Sequence, residues 1–177
     1  GRKEELEILR KALISNEAEM IAIIGRRRVG KTFLIENAYQ GRLLFSFTGV
    51  QNAPRKEQLQ NFSLQLAEQS EAIVPLKEPK NWLEAFYLLI TYLKSQMGEE
   101  KKVVFLDELP WIATPKSGFL RALGFFWNSW AVKNNIVVVI CGSAASWMIQ
   151  KVVNHKGGLH NRITKRIFLE PFTLKET

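Results

Sequence analysis

Apolar positions along the chain follow two alternating rhythms. Met20 to Ile24, Val103 to Leu106 and Ile136 to Cys141 are short continuous apolar runs, and Leu43 to Thr48 is nearly so, as expected of strands covered on both faces of a sheet. Between them, apolar residues recur three and four apart. Arg2 to Ser15 carries Leu6, Leu9 and Leu13 on one face, and Asn81 to Gln96 carries Trp82, Phe86 and Leu89. Helices are likewise expected over Phe33 to Gln40, from Pro54 to about Ser70, over Gly118 to Lys133 and over Ala144 to Gln150, with Pro75 and Pro79 punctuating the loop between two of them. A polar loop with Gly157-Gly158 precedes a last strand, Arg166 to Phe172. Strands separated by helices imply right-handed crossovers. The pattern therefore predicts an α/β fold, a parallel sheet with helices on both faces in three αβα layers. No repeat, low-complexity tract or linker interrupts it, so residues 1–177 are read as one core domain.

The first strand runs straight into Gly25 to Thr32, GRRRVGKT: glycine, four residues, glycine, lysine, threonine. This is the spacing of a phosphate-binding loop between a buried strand and a helix. Gly25 and Gly30 permit turns closed to residues with a Cβ, so that successive N–H groups face phosphate oxygens, and a helix beginning near Gly30 adds its positive end. Lys31 supplies a cation for the β- and γ-phosphates and Thr32 a hydroxyl for magnesium. Gly25, Arg26, Arg27, Arg28, Val29, Gly30, Lys31, Thr32 and Phe33 are the candidate nucleotide contacts. Arg26 to Arg28 read either as a solvated basic turn or as a segment from which one arginine approaches the nucleotide or a neighbouring subunit.

A second element supplies acid. The run Val103 to Leu106 ends in Asp107-Glu108, at the end of a strand where open α/β sheets bind ligands. Asp107 is assigned to magnesium and Glu108 to the general base that polarises water. Alone, such a pair could simply mark a solvated strand end; the preceding loop gives it a function. The run from Ile136 ends in Gly142-Ser143, and Ser143 reads equally as a sensor of the attacking water or γ-phosphate and as an N-cap for the next helix.

Composition narrows the classes. At 46% hydrophobic and 11% aromatic residues, the chain is no disordered segment. One cysteine excludes an internal disulfide framework, and with two histidines a structural zinc site is not expected. Cys141 reads as a small core residue and leans toward a reducing cytoplasmic setting. No secretory signal opens the chain, and Ile136 to Ile149 is too short and interrupted to span a bilayer, so no membrane partner is expected. The net charge of +8 is concentrated in Lys151, Lys156, Arg162, Lys165 and Arg166, a run that either forms a solvated face or attracts nucleic acid.

With these residues in hand, the chain resembles the archaeal-type AAA+ ATPases, related to STAND signalling NTPases and to Orc1/Cdc6-like initiators. The resemblance rests on Gly1-Arg2 with Glu5 and Leu9, the loop GRRRVGKT, the strand VVFLDELPW, the strand tip ICGSAASWM and the closing NRITKRIFLEPFTLKE. It implies a five-stranded sheet in the order 5-1-4-3-2, ATP and Mg2+ as ligands, and adenine rather than guanine. It further implies that Gly1-Arg2 passes over the adenine. Arg162 matches the place of an arginine finger that reaches the γ-phosphate of a neighbouring subunit, in a homo-oligomer. Family members continue into a helical lid with a second sensor arginine. The chain stops at Thr177, and lid-dependent closure is expected to be impaired in it.

Three outputs suit such a core: an ATPase that couples turnover to conformation or assembly, a STAND-like switch that holds ATP or ADP and hydrolyses slowly, and a nucleic-acid remodeller using the segment Lys151 to Arg166. A small-molecule kinase fits less well, since no lid with phosphate-binding arginines is visible.

Overall fold

The computed structural model describes residues 2–26, 28–71, 77–154, 159, 161–171 and 173–174. Gly1, Arg27, Pro75, Lys156, Gly157-Gly158, Phe172 and Thr177, named above, lie outside them. The elements in order are α1 (Lys3–Ile14), β1 (Glu19–Gly25), α2 (Lys31–Ala38), β2 (Leu43–Thr48), α3 (Arg55–Gln69), α4 (Trp82–Gln96), β3 (Lys102–Asp107), α5 (Leu109–Ile112), α6 (Phe119–Ser129), β4 (Ile136–Gly142), α7 (Ala145–Met148) and β5 (Lys165–Leu169). The five strands form one sheet in the order β2-β3-β4-β1-β5, the expected order read from the other edge, and all neighbours are parallel.

Alternation along the strands builds two cores. Met20, Ala22, Ile24, Val104, Leu106, Val138 and Ile140 face one side, where α3 to α7 pack. Ile21, Ile23, Val103, Phe105, Val137 and Val139 face the other, under α1 and α2. The larger core is aromatic. Phe62 stands edge-on to Phe45, Phe47 and Trp82, with ring centroids 5.2 to 5.6 Å apart, and Phe86 stacks on Phe126. The stripe Trp82, Phe86 and Leu89 is therefore core packing.

Local chemistry sets the ends of the elements. The Asn81 side chain accepts the Glu84 N–H at 2.9 Å and starts α4, while Pro54 lies just before α3, where its missing N–H is not needed. Gly30 stands at φ 87° and turns the loop into α2.

Three expectations change. The final strand ends at Leu169, short of Phe172, because Leu169 pairs with Gly25 and β1 stops there, leaving no neighbour to pair with. The helix predicted to reach Lys133 breaks at Trp130 and resumes as one tight turn, Ala131–Lys133. The helix predicted over Ala144 to Gln150 is a single α turn that widens into a π turn at Ile149–Val153, and Leu109–Ile112 forms a short helix the pattern did not announce.

Candidate functional site

Parallel strands bring their carboxyl ends to one edge, so β1, β3 and β4 deliver Gly25, Asp107 and Gly142 side by side. Lys31, in the first turn of α2, is buried, and its ammonium donates to the carbonyls of Gly25 at 2.9 Å and Arg26 at 3.1 Å. Gly25 has no room for a side chain: a Cβ there would lie 2.9 Å from the Leu169 carbonyl oxygen and 3.2 Å from Val29. Arg28 adopts a left-handed conformation at φ 66°, and its side chain and that of Arg26 are exposed, so both form part of a solvated turn. Phe33 is also exposed, and Val29 is buried under the loop. Arg2 sits at the same loop, donating to the Val29 carbonyl at 3.3 Å and to the Glu170 carbonyl.

Asp107 is 7% exposed and accepts the Glu108 N–H at 2.8 Å, with the Thr32 side chain beside it. Burial pushes its carboxyl above the usual range, the Glu108 charge adds to that, and the Glu108 N–H, Lys31 and Thr32 pull the other way. Glu108 occupies the left-handed region at φ 56°, ψ 52°, a strain of roughly 1–3 kcal/mol for a residue with a side chain. Its carboxylate accepts the Ser143 hydroxyl at 3.0 Å. Ser143 therefore does not cap the following helix, whose N-cap is Ala144.

Two glycines make this crowding possible. A Cβ on Gly49 would meet Ile112 at 2.6 Å and the Glu108 carbonyl at 3.0 Å; one on Gly142 would meet Met148 at 2.5 Å and Pro110 at 3.0 Å. The short helix α5 is thus clasped between the ends of β2 and β4. Cys141 lies just inside, fully buried, and burial pushes its thiol well above its ordinary range.

Paired buried carboxylates beside a hydroxyl are hard oxygen donors and suit a divalent cation that shares its shell with phosphate. Among the described residues no group of three or more His, Cys, Asp or Glu could hold a metal on its own. Lys31, Thr32, Asp107, Glu108 and Ser143 thus converge. Arg162 does not join them. It precedes β5 at the amino end of the sheet, where it bonds Asn128 at 3.0 Å and shares a groove with Asn16, Lys133 and Thr164. Its basic run is dispersed, since Lys165 and Arg166 instead flank α1 beside Ile8 and Lys11. Sequence reasoning missed α5, Gln58 and the two clasping glycines; Gly49, directly after β2, and Gly142, the last residue of β4, were the available signal.

The profile of a family described as an ATPase domain predominantly from Archaea matches residues 1–177. The chain belongs to this ATPase family. It is 28% identical over 174 residues to the uncharacterized protein MJECL04 of Methanocaldococcus jannaschii, covering 98% of this chain and 36% of that protein. The ATPase domain thus spans about a third of that relative's length. A 42-residue stretch is 49% identical to the uncharacterized ATP-binding protein MJ0423 of the same organism, 24% of this chain and 71% of that one. Among solved structures, the Walker-type ATPase PABY2304 of Pyrococcus abyssi superposes with a TM-score of 0.69 at 17% identity, over 99% of this chain and 55% of that one. The Aeropyrum pernix ORC2 protein, solved as ADPNP–ADP complexes, gives 0.67 at 18%, over 99% and 49%. These likenesses establish the fold of the ATPase domain. Among its described residues no helix is long and apolar enough to cross a membrane.

Proposed function

We propose that this domain binds ATP with Mg2+ and hydrolyses it, coupling nucleotide state to a change in conformation or assembly. The observation that carries this reading is the convergence of Lys31, Thr32, Asp107, Glu108 and Ser143 at the carboxyl ends of adjacent strands. The phosphates lie against the N–H groups at the start of α2, and Lys31 exchanges its two carbonyl acceptors for phosphate oxygens. Thr32 and Asp107 would hold magnesium, which would supply positive charge against the phosphates. Glu108 takes a proton from water as the water oxygen bonds to the γ-phosphorus and the bond to the ADP oxygen breaks.

Glu108 is restrained by Ser143, which favours gated turnover. A γ-phosphate competes for the Ser143 proton and frees the carboxylate to orient water. The same gate accommodates a slow, switch-like ATPase. Arg162, at the far end of the sheet, serves a neighbouring copy, so full turnover requires a homo-oligomer.

Glu108→Gln should retain ATP and lose turnover by roughly 10²- to 10⁴-fold. Unchanged turnover removes Glu108 as base. Arg162→Ala should leave ATP affinity intact and abolish any dependence of turnover on protein concentration; an equal dependence in both proteins removes Arg162.

A further inference from the structure

Helix α3 runs back along β2, the edge strand, whose outer side has no strand neighbour among the described residues. Two glutamines of that helix take the place of one. Gln69, its last residue, accepts the Ser46 N–H at 2.8 Å and donates to the Ser46 carbonyl at 2.8 Å. Gln58, in its first turn, accepts the Val50 N–H at 3.0 Å and donates to the Val50 carbonyl at 2.7 Å. A carboxamide presents an acceptor and donors side by side, so each glutamine closes a backbone pair that an added strand would otherwise seek.

Gln58 does one thing more. Its amide nitrogen also donates to the Trp111 carbonyl at 3.0 Å. That carbonyl lies in α5, and the residue four further on, whose N–H would meet it in a longer helix, is Pro115. Gln58 is only 1% exposed and its three partners are all backbone groups, so its oxygen and nitrogen fit in one orientation alone.

Both segments that Gln58 grips border Glu108. Val50 follows Gly49, whose N–H donates to the Asp107 carbonyl at 3.0 Å and where a Cβ would lie 3.0 Å from the Glu108 carbonyl oxygen. Trp111 donates its own N–H to that same Glu108 oxygen at 3.0 Å. Glu108 stands in the left-handed region, which a residue with a Cβ keeps only where its surroundings over-determine it. Its bond to Ser143 ties down the carboxylate and leaves the backbone to be held by other groups.

We propose, building on Glu108 as the base, that Gln58 is a positioning residue for hydrolysis. Its carboxamide clamps α5 to the tip of β2, fixing the Glu108 backbone from both sides and so aiming the carboxylate at the place it shares with Ser143. The amide is engaged by the protein throughout, so its effect falls on turnover and not on ATP affinity. Gln69 is the built-in control, because it makes the same pair of bonds to β2 and lies at the far end of α3 from α5.

Gln58→Met and Gln69→Met each remove one clamp while keeping a side chain of similar length. Steady-state ATP turnover, ATP affinity by calorimetry and backbone amide exchange followed in 1H–15N spectra are measured on both variants and the parent. Gln58→Met should lower kcat by at least about tenfold, as a displaced catalytic group does, with ATP affinity within about twofold of the parent. The Trp111 N–H should exchange at least about tenfold faster, although the substitution leaves its own acceptor in place. Gln69→Met should speed exchange at Ser46 and leave kcat and the Trp111 N–H as they are. Equal kcat in the two variants, or unchanged Trp111 exchange in Gln58→Met, would overturn the proposal. Glu108→Gln in the same assay separates the two readings. If it turns over like the parent, the base assignment fails and takes this proposal with it; if it is slow while Gln58→Met is not, Gln58 alone loses its role. Should Gln58→Met not fold, the parent chain decides. There the side-chain N–H protons of Gln58, buried and bonded, should exchange at least about tenfold more slowly than those of the half-buried Gln69, and equal rates would show the clamp to be open and sink the proposal.

Discussion

Among the described residues two lysines are buried, at opposite ends of the sheet, and their surroundings differ in kind. Lys101, just before β3, is 2% exposed and is held by the carbonyls of Ala12, Ser15 and Glu17 and the hydroxyl of Ser15. Those acceptors include the closing turn of α1, so its ammonium completes a helix end and joins α1 to the sheet. Burial lowers the Lys101 pKa, and the charges of Glu19 and Glu17 oppose that. Nearby, Thr164 donates to the Glu19 carboxylate at 2.8 Å and pairs with Met20 through its own backbone, fastening β5 to β1. Lys31, 6% exposed, has only two acceptors, both in the loop that it serves. One end of the sheet is satisfied and structural; the other stores strained backbone, crowded glycines and a disfavoured carboxylate. The proposed site lies where the polar groups are least settled.

The sharpest way to break the contrast is to remove each cation. Lys31→Ala should lower ATP affinity by about 100-fold or more, a loss of roughly 2.7 kcal/mol of binding, with little change in unfolding midpoint. Lys101→Met should do the reverse, costing about 3 kcal/mol of stability because buried carbonyls lose their donor, while the folded fraction binds ATP normally. Urea unfolding beside calorimetry reads both, and equal stability losses in the two variants would erase the distinction. Gly142→Ala, which drives a Cβ toward Met148 and Pro110, should cost about 2 kcal/mol and slow turnover, since α5 must shift with Glu108.

The smallest effects sharpen the account of Asp107. Asp107→Asn should raise stability by about 1 kcal/mol while eliminating magnesium-dependent turnover. The pH dependence follows from the same cause. Since the folded-state pKa of Asp107 is raised, the folded chain holds its proton over a range where the unfolded chain has released it. The Asp107 contribution to stability therefore falls as pH rises from the unfolded carboxylate value through the raised one. Subtracting the Asp107→Asn profile from that of the parent isolates it, and a difference of opposite slope would contradict the burial argument.

The sheet was legible because strand periodicity depends on burial alone: Leu43–Thr48 was read to the residue, and Val103–Leu106 to within one at either end. Boundaries failed where a partner, not propensity, decided them, as at Leu169, which stops because Gly25 does. In the site, the loop and Asp107-Glu108 were legible as spaced residue types. Their mutual arrangement was not. That Ser143 would bond Glu108 and not cap a helix depends on the register of β3 against β4, and the asymmetry between Lys31 and Lys101 depends on contacts across 84 or more residues of chain in the latter case.

Cys141 turns the crowded edge into its own clock. It is the sole thiol of the chain, shut within the core directly behind Gly142 and chemically quiet while that core is closed. An alkylating reagent can reach it only when the strand tips part, so its labelling rate in the native sequence counts those openings. Whatever loads the phosphate loop should slow that count.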